Sequence, residues 1–179
     1  MTHDNVAAMR VSYDKSELIE SALADNPLDQ FRAWLSDAVE DPAITEPNAM
    51  VLATQGDGPS TRTVLLKSID GRGLTFYTNY TSRKAGHMAD NPSVSVLFPW
   101  YSLHRQIAVI GTVSKVSREE SAEYFATRPH GSQLGAYASN QSSPLPSREP
   151  LEAQMAELEA KFPEGTTVPL PDHWGGYLI

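Results

Sequence analysis

The 179-residue chain contains no cysteine, which excludes disulfides, thiolate nucleophiles and cysteine metal sites. That absence agrees with a reducing compartment, and a cytoplasmic location is the expectation. No apolar run reaches the roughly 18 residues that a membrane-spanning helix needs. The opening residues, Met1-Thr-His-Asp-Asn, lack the basic and apolar regions of a secretory leader. Positive charge is scarce: 14 Lys and Arg stand against 22 Asp and Glu, for a net charge of −8. A nucleic acid or an anionic membrane would need a broad basic face, so neither is an expected partner. The sequence has no Walker loop, GxGxxG, HExxH or Ser/His/Asp order. Its histidines (His3, His87, His104, His130, His173) show no metal-ligand spacing, so no metal is expected.

What is present is the composition of one globular domain, 40% hydrophobic and 20% charged. A chain of this length can bury about 70% of its unfolded surface. Asp14 and Glu17 resemble a capping box for a short helix from about Lys15. Asn26-Pro27 caps and opens a helix to Glu40, with Leu28, Phe31, Leu35 and Ala38 on one face. Strands follow at Met50–Thr54, Thr61–Ile69 and Leu74–Thr78, separated by Gly56-Asp-Gly-Pro59 and Asp70-Gly-Arg-Gly73 turns. Ser82 is placed to cap a helix over Arg83–Asp90. Val94–Trp100 and a long, bending Arg105–Val116 give two more strands. Ser117 and Glu120 form a capping box for a helix to about Thr127. Gly131–Ala138 and Leu151–Lys161 read as further helices, and Trp174-Gly-Gly-Tyr-Leu-Ile179 leads into a last strand that, beginning near Tyr177, has only three residues. The sum is about six antiparallel strands around one core, mainly β, in a small barrel decorated by helices. Residues 1–25 read as an N-terminal arm with a short helix, and 26–179 as the barrel domain.

Against the acidic background, four cations gather in one region: Arg62, Lys67, Arg83 and Lys84. Strand alternation points Arg62 and Lys67 to opposite faces unless a bulge intervenes. Arg83 and Lys84 fall at a helix start, where the free N–H groups and the dipole favour negative charge. Two cations there make sense if an anion, most simply a phosphate, sits among them. Gln106 interrupts an apolar strand and either turns into a cleft or lies on the wet face. Tyr124, Arg128 and Ser132 recur every fourth residue as a possible phosphate clamp, although Pro129 ends the helix between them.

These residues resemble the pyridoxamine 5′-phosphate oxidase family. The similarity is carried by Glu46–Thr54, Arg62-Thr-Val-Leu-Leu-Lys67, Phe76-Tyr-Thr-Asn-Tyr-Thr-Ser-Arg-Lys84, Phe98-Pro-Trp100, Arg105-Gln106, Arg128-Pro129, Ser132–Ala136, Gln141-Ser142 and Trp174-Gly-Gly176. It implies an FMN-binding split barrel that works as a homodimer, with each flavin at the subunit interface. The FMN contacts it implies are Arg62, Thr63, Val64, Leu65, Leu66 and Lys67, then Tyr77, Thr78, Arg83 and Lys84, and lastly Gln106, Gln141, Ser142 and Trp174. For the substrate it implies Lys67, Tyr124, Arg128 and Ser132 on the phosphate, with Arg10 and Tyr13 on a closing N-terminal arm.

The activity implied is oxidation of pyridoxamine 5′-phosphate and pyridoxine 5′-phosphate to pyridoxal 5′-phosphate. O2 is the acceptor, hydrogen peroxide a product, and ammonia leaves from the amine. No residue stands out as a general base, so the catalytic residue is left unassigned. The family pattern continues past Trp-Gly-Gly with further strands, a Trp-Gln-Gly-Arg segment and an Arg-x-His pair. Those C-terminal strands are expected to be missing here. The alternatives are therefore a flavin- or B6-phosphate-binding protein with little turnover, or a related flavin oxidase of phenazine biosynthesis.

Overall fold

The structure, a computed structural model, describes residues 6–9, 12–13 and 17–179. The expected cap at Asp14 lies outside the described residues. The chain falls into two compact units, Met1–Asn48 with Phe98–Ile107, and Ala49–Leu97 with Ala108–Ile179.

The first unit is organised by helix α1, Pro27–Glu40. Asn26 Oδ1 accepts from the Leu28 N–H at 2.8 Å and Pro27 opens the first turn, as the sequence pattern requires. Phe31 and Ala38 are buried, and the Phe31 ring meets Phe98 edge-on at 4.9 Å. Trp100 donates its indole N–H to the Pro47 carbonyl at 3.0 Å, satisfying its polar handle inside the core. Arg105 lies over the Trp34 ring and pairs with Asp37 at 2.8 Å.

Most of the second unit is sheet. In chain order the strands are β1 Ala49–Gln55, β2 Pro59–Asp70, β3 Gly73–Asn79, β4 Ser93–Trp100, β5 Arg105–Thr112, β6 Ser114–Lys115 and β7 Trp174–Leu178. They form one sheet of order β5-β4-β1-β2-β3-β7-β6. Every described pairing is antiparallel. β3 is buried along nearly its whole length because β2 and β7 flank it. Met50, Leu52, Leu66, Phe76 and Val96 belong to the sheet core. Four helices accompany the sheet: α2 Arg83–Asp90, α3 Arg118–Ala126, α4 His130–Ala138 and α5 Glu149–Lys161. A second cluster, Phe125, Leu134, Ala136, Val168 and Trp174, packs with Met155, Leu158 and Phe162 of and beside α5.

The structure corrects the sequence reading at four places. The single bent strand over Arg105–Val116 is two strands. The Val113 N–H donates to the Pro92 carbonyl at 2.9 Å, at the end of the β4–β5 pair, and Ser114–Lys115 then pair with β7 instead. The last strand is not a three-residue stub: it begins at Trp174 and pairs with β3 from Asn79 to Thr75. Glycine hides it from the strand pattern. A Cβ at Gly175 would overlap the Tyr80 ring, and one at Gly176 would overlap the Tyr77 ring. Ser82 sits at the N-cap of α2 without capping it, because its hydroxyl donates to the Asn79 carbonyl at 2.7 Å. The Ser117–Glu120 box is half formed. Ser117 Oγ accepts from the Glu120 N–H at 3.0 Å, while the Glu120 carboxylate is engaged by Arg72.

Gly176→Ala is expected to cost about 1–3 kcal/mol through overpacking against Tyr77 and Val116. A denaturant midpoint equal to wild type would contradict that.

Candidate active site

Two cavities of the second unit share one lining residue, Lys84. The smaller, about 410 Å³, is built by Ser60, Thr61 and Arg62 of β2, Arg83 and Lys84 at the start of α2, and Ser142. Its cations are crowded. Burial, and then the charge of Arg83, lower the Arg62 pKa. Burial, and then Arg62, lower that of Lys84. Among the described residues no carboxylate lines this cavity, and none of these three cations is in an ion pair. The first turn of α2 adds backbone N–H groups with no capping side chain. Fixed positive charge without a partner is an arrangement for binding an anion.

Lys84 itself is nearly buried. Its ammonium donates to Thr78 Oγ1 at 3.0 Å and to Gln141 Oε1 at 2.5 Å. Those contacts carry it to the seam between the cavities. Ser142 holds a left-handed backbone, φ 69°, beside Gln141.

The larger cavity, about 460 Å³, opens on the other side of Lys84. Thr63, Val64, Leu65 and Lys67 of β2 form one wall, with Tyr77, Thr78 and Gln141 beside them. A bulge in the β2–β3 pairing, between Leu66 and Ser68, coincides with Lys67. Arg62 and Lys67 line adjacent cavities rather than one. Opposite lie Tyr124 of α3, Arg128 between α3 and α4, and Ser132 of α4. The Pro129 break does not scatter the last three, since the turn between the helices returns Ser132 to the same cavity. Tyr124, Tyr77 and Trp174 stack, with Tyr77 4.0 Å from Tyr124 and 5.5 Å from Trp174. Burial first pushes the Tyr77 phenol up to about 12, so it stays neutral.

Arg128 is the strongest signal in this cavity. Its guanidinium lies 4.7 Å over the Trp174 ring, and burial lowers its pKa. Its Nη1 is buried with no hydrogen-bond partner. A buried charged donor without an acceptor costs several kcal/mol unless a ligand supplies one.

The other site candidates lie elsewhere. Leu66 faces the core and is buried. Gln106 is exposed rather than turned inward, and with Tyr13, Tyr101, His104 and Arg105 it lines a third cavity, in the first unit. Arg10 lies outside the described residues. Sequence reasoning missed Thr127 and Pro129 on the larger cavity and Ser60 and Thr61 on the smaller. Ser60 could have been found, being on the same strand face as Arg62.

Residues 35–162 match the family model described as pyridoxamine 5′-phosphate oxidase. A pyridoxine/pyridoxamine 5′-phosphate oxidase from Streptomyces avermitilis is 51% identical over 97% of this chain and 80% of its own length. One from Thermobifida fusca is 49% identical over 100% and 82%. Among solved structures, PhzG from Burkholderia lata, in complex with tetrahydrophenazine-1-carboxylic acid, superposes with a TM-score of 0.82 at 31% identity, covering 90% of this chain and 80% of that one. A pyridoxamine 5′-phosphate oxidase-related, FMN-binding protein from Nostoc punctiforme shares the fold, with a TM-score of 0.67 at 15% identity over 88% and 82%. The fold is the expected split barrel of antiparallel strands with helices.

Proposed function

The chain belongs to the pyridoxamine 5′-phosphate oxidase family, and on that premise we propose that it is an FMN-dependent oxidase of pyridoxamine 5′-phosphate and pyridoxine 5′-phosphate. Pyridoxal 5′-phosphate and hydrogen peroxide are the products, with O2 as acceptor and ammonia released from the amine. One observation carries this reading: the unpartnered, buried Nη1 of Arg128 beside Lys67, Tyr124 and Ser132. Those donors suit a phosphate, and the separate Arg62–Arg83–Lys84 cluster suits a second. A phosphorylated flavin and a phosphorylated substrate supply the two.

The donor set fits FMN. Arg62, Arg83, Lys84 and Ser142 would hold its phosphate, and Thr63 to Lys67, Tyr77, Thr78, Gln141 and Trp174 its remainder. Leu66 would act from the core, through backbone. Gln106, Arg10 and Tyr13 are assigned on the family resemblance alone, as is a homodimer. When bound, FMN supplies the two-electron chemistry and hands the electrons to O2. The chain orients the substrate through its phosphate, which turns binding energy into alignment of the reacting carbon. Among the described residues no carboxylate or imidazole lines the larger cavity, so the chain contributes position there rather than a strong base.

A second reading is oxidation of a tricyclic carboxylic acid, favoured by the likeness to PhzG. Purified protein should carry the visible absorbance of a flavin, and oxygen uptake should follow addition of pyridoxine 5′-phosphate. Failure to take up added FMN removes the flavin assignment. Uptake of oxygen with tetrahydrophenazine-1-carboxylic acid but not with the phosphate esters selects the second reading. Bound FMN without turnover leaves a binding protein.

A further inference from the structure

Arg62 is the cation of the smaller cavity that comes from the sheet rather than from α2, and three side-chain and backbone acceptors fix it. Nη1 donates to the Leu52 carbonyl at 3.1 Å and to Thr54 Oγ1 at 2.7 Å. Nη2 donates to Ser60 Oγ at 2.7 Å. A guanidinium has five N–H donors and can only donate. With three engaged, two stay available to a ligand, and their direction is set by the other three.

Thr54 is buried, and its hydroxyl also lies 3.1 Å from His87 Nδ1. One hydroxyl therefore joins the Arg62 guanidinium, from which it accepts, to the His87 imidazole. His87 stands one turn after Arg83 and Lys84 on α2. Its ring covers Gly56, where any Cβ would overlap it. The imidazole is thereby held between the β1–β2 turn and the helix.

We propose that Thr54 and His87 are positioning residues for the flavin phosphate. They tie Arg62 of β2 to the helix that presents Arg83 and Lys84, so that the cations keep one fixed spacing. The inference rests on the flavin reading of the cavity. It extends that reading to two residues that do not line the cavity. Mutually repelling cations would otherwise splay apart in the free protein, and each would have to be gathered on binding. A preset spacing moves that cost from binding to folding.

The test is FMN titration of the flavin-free protein, followed by quenching of flavin fluorescence. Thr54→Val keeps the shape and deletes the hydroxyl. It should raise the FMN Kd about tenfold, the scale of one hydrogen bond to a charged group. At saturating FMN its kcat should equal that of wild type. Thr54→Ser should restore wild-type affinity, which a merely space-filling role would not do. His87→Ala should weaken FMN about threefold, the scale of a neutral hydrogen bond. Wild-type affinity in Thr54→Val, or failure of the serine to rescue it, overturns the proposal. If Thr54→Val does not fold, His87→Ala decides by the same titration. Wild-type protein that binds no FMN would overturn the cofactor reading itself, and the proposal with it. That outcome is distinct from a wild type that binds and a variant that binds equally well.

Discussion

Arg128→Met should lower kcat/KM for pyridoxamine 5′-phosphate by roughly 100-fold or more, mostly through KM, while the protein melts no earlier than wild type. The magnitude follows from losing hydrogen bonds between a buried guanidinium and a phosphate, each about 1.5–3 kcal/mol. The stability result follows from the same atom. Nη1 is buried without a partner, so in the free protein this charge is a cost that methionine removes. Methionine also keeps the contact with the Trp174 face that Arg128 occupies. A control separates phosphate recognition from general damage. Unphosphorylated pyridoxine offers no phosphate to Arg128, so whatever kcat/KM it has should barely change. Equal losses on pyridoxine and its phosphate would place Arg128 outside phosphate recognition. A large fall in melting temperature would assign it to the fold.

Lys84→Met should weaken FMN roughly 10- to 100-fold, the range for one charged hydrogen-bond donor at a desolvated phosphate. Lys84 also predicts a dependence on pH whose sign can be worked out. Burial, and then Arg62, lower its pKa from 10.5 in the folded protein. The unfolded chain therefore holds this proton more tightly than the free folded protein does. Between the depressed folded pKa and 10.5, the stability of the free protein should rise with pH from this group. FMN affinity should move the other way, falling as Lys84 loses its charge. Lys84→Met should flatten both trends. Titration of the FMN Kd across the alkaline range, beside melting of the flavin-free protein, reads the two slopes. An unchanged slope in Lys84→Met would show that another group sets it. Tyr77 and Tyr177, raised from 10.0 to about 12, withdraw stability as pH rises above about 10, a slope of the opposite sign that does not imitate the effect.

Local signals in the sequence carried most of the fold. Asn26-Pro27 and the Leu28, Phe31, Leu35, Ala38 stripe define α1, and Ser117 opens α3, because caps and helical stripes are short-range properties. The meander from Ala49 to Asn79 is legible for a similar reason, its turns being marked by Gly, Pro and Asp. β7 was legible only as a fragment. Its two glycines carry no strand signal, and their use, giving Tyr77 and Tyr80 room, is a contact between strands far apart in sequence. The division of Arg105–Val116 was equally hidden, since Ser114–Lys115 change partner to β7, a strand far along the chain.

By itself the sequence determined which cations exist, that two of them open a helix, and that the acidic remainder leaves them conspicuous. It also determined the family, through ordered motifs whose spacing a single chain displays. Tertiary structure alone decided how those charges divide. Arg62 lines one cavity and Lys67 its neighbour, with Lys84 at the seam between them. Register alone brings Thr54 to Arg62, and packing alone lays Arg128 on Trp174 with a donor unpaired. The physical reason is range. Propensity and capping act within about a turn of the chain, whereas burial and charge spacing depend on neighbours that only folding supplies.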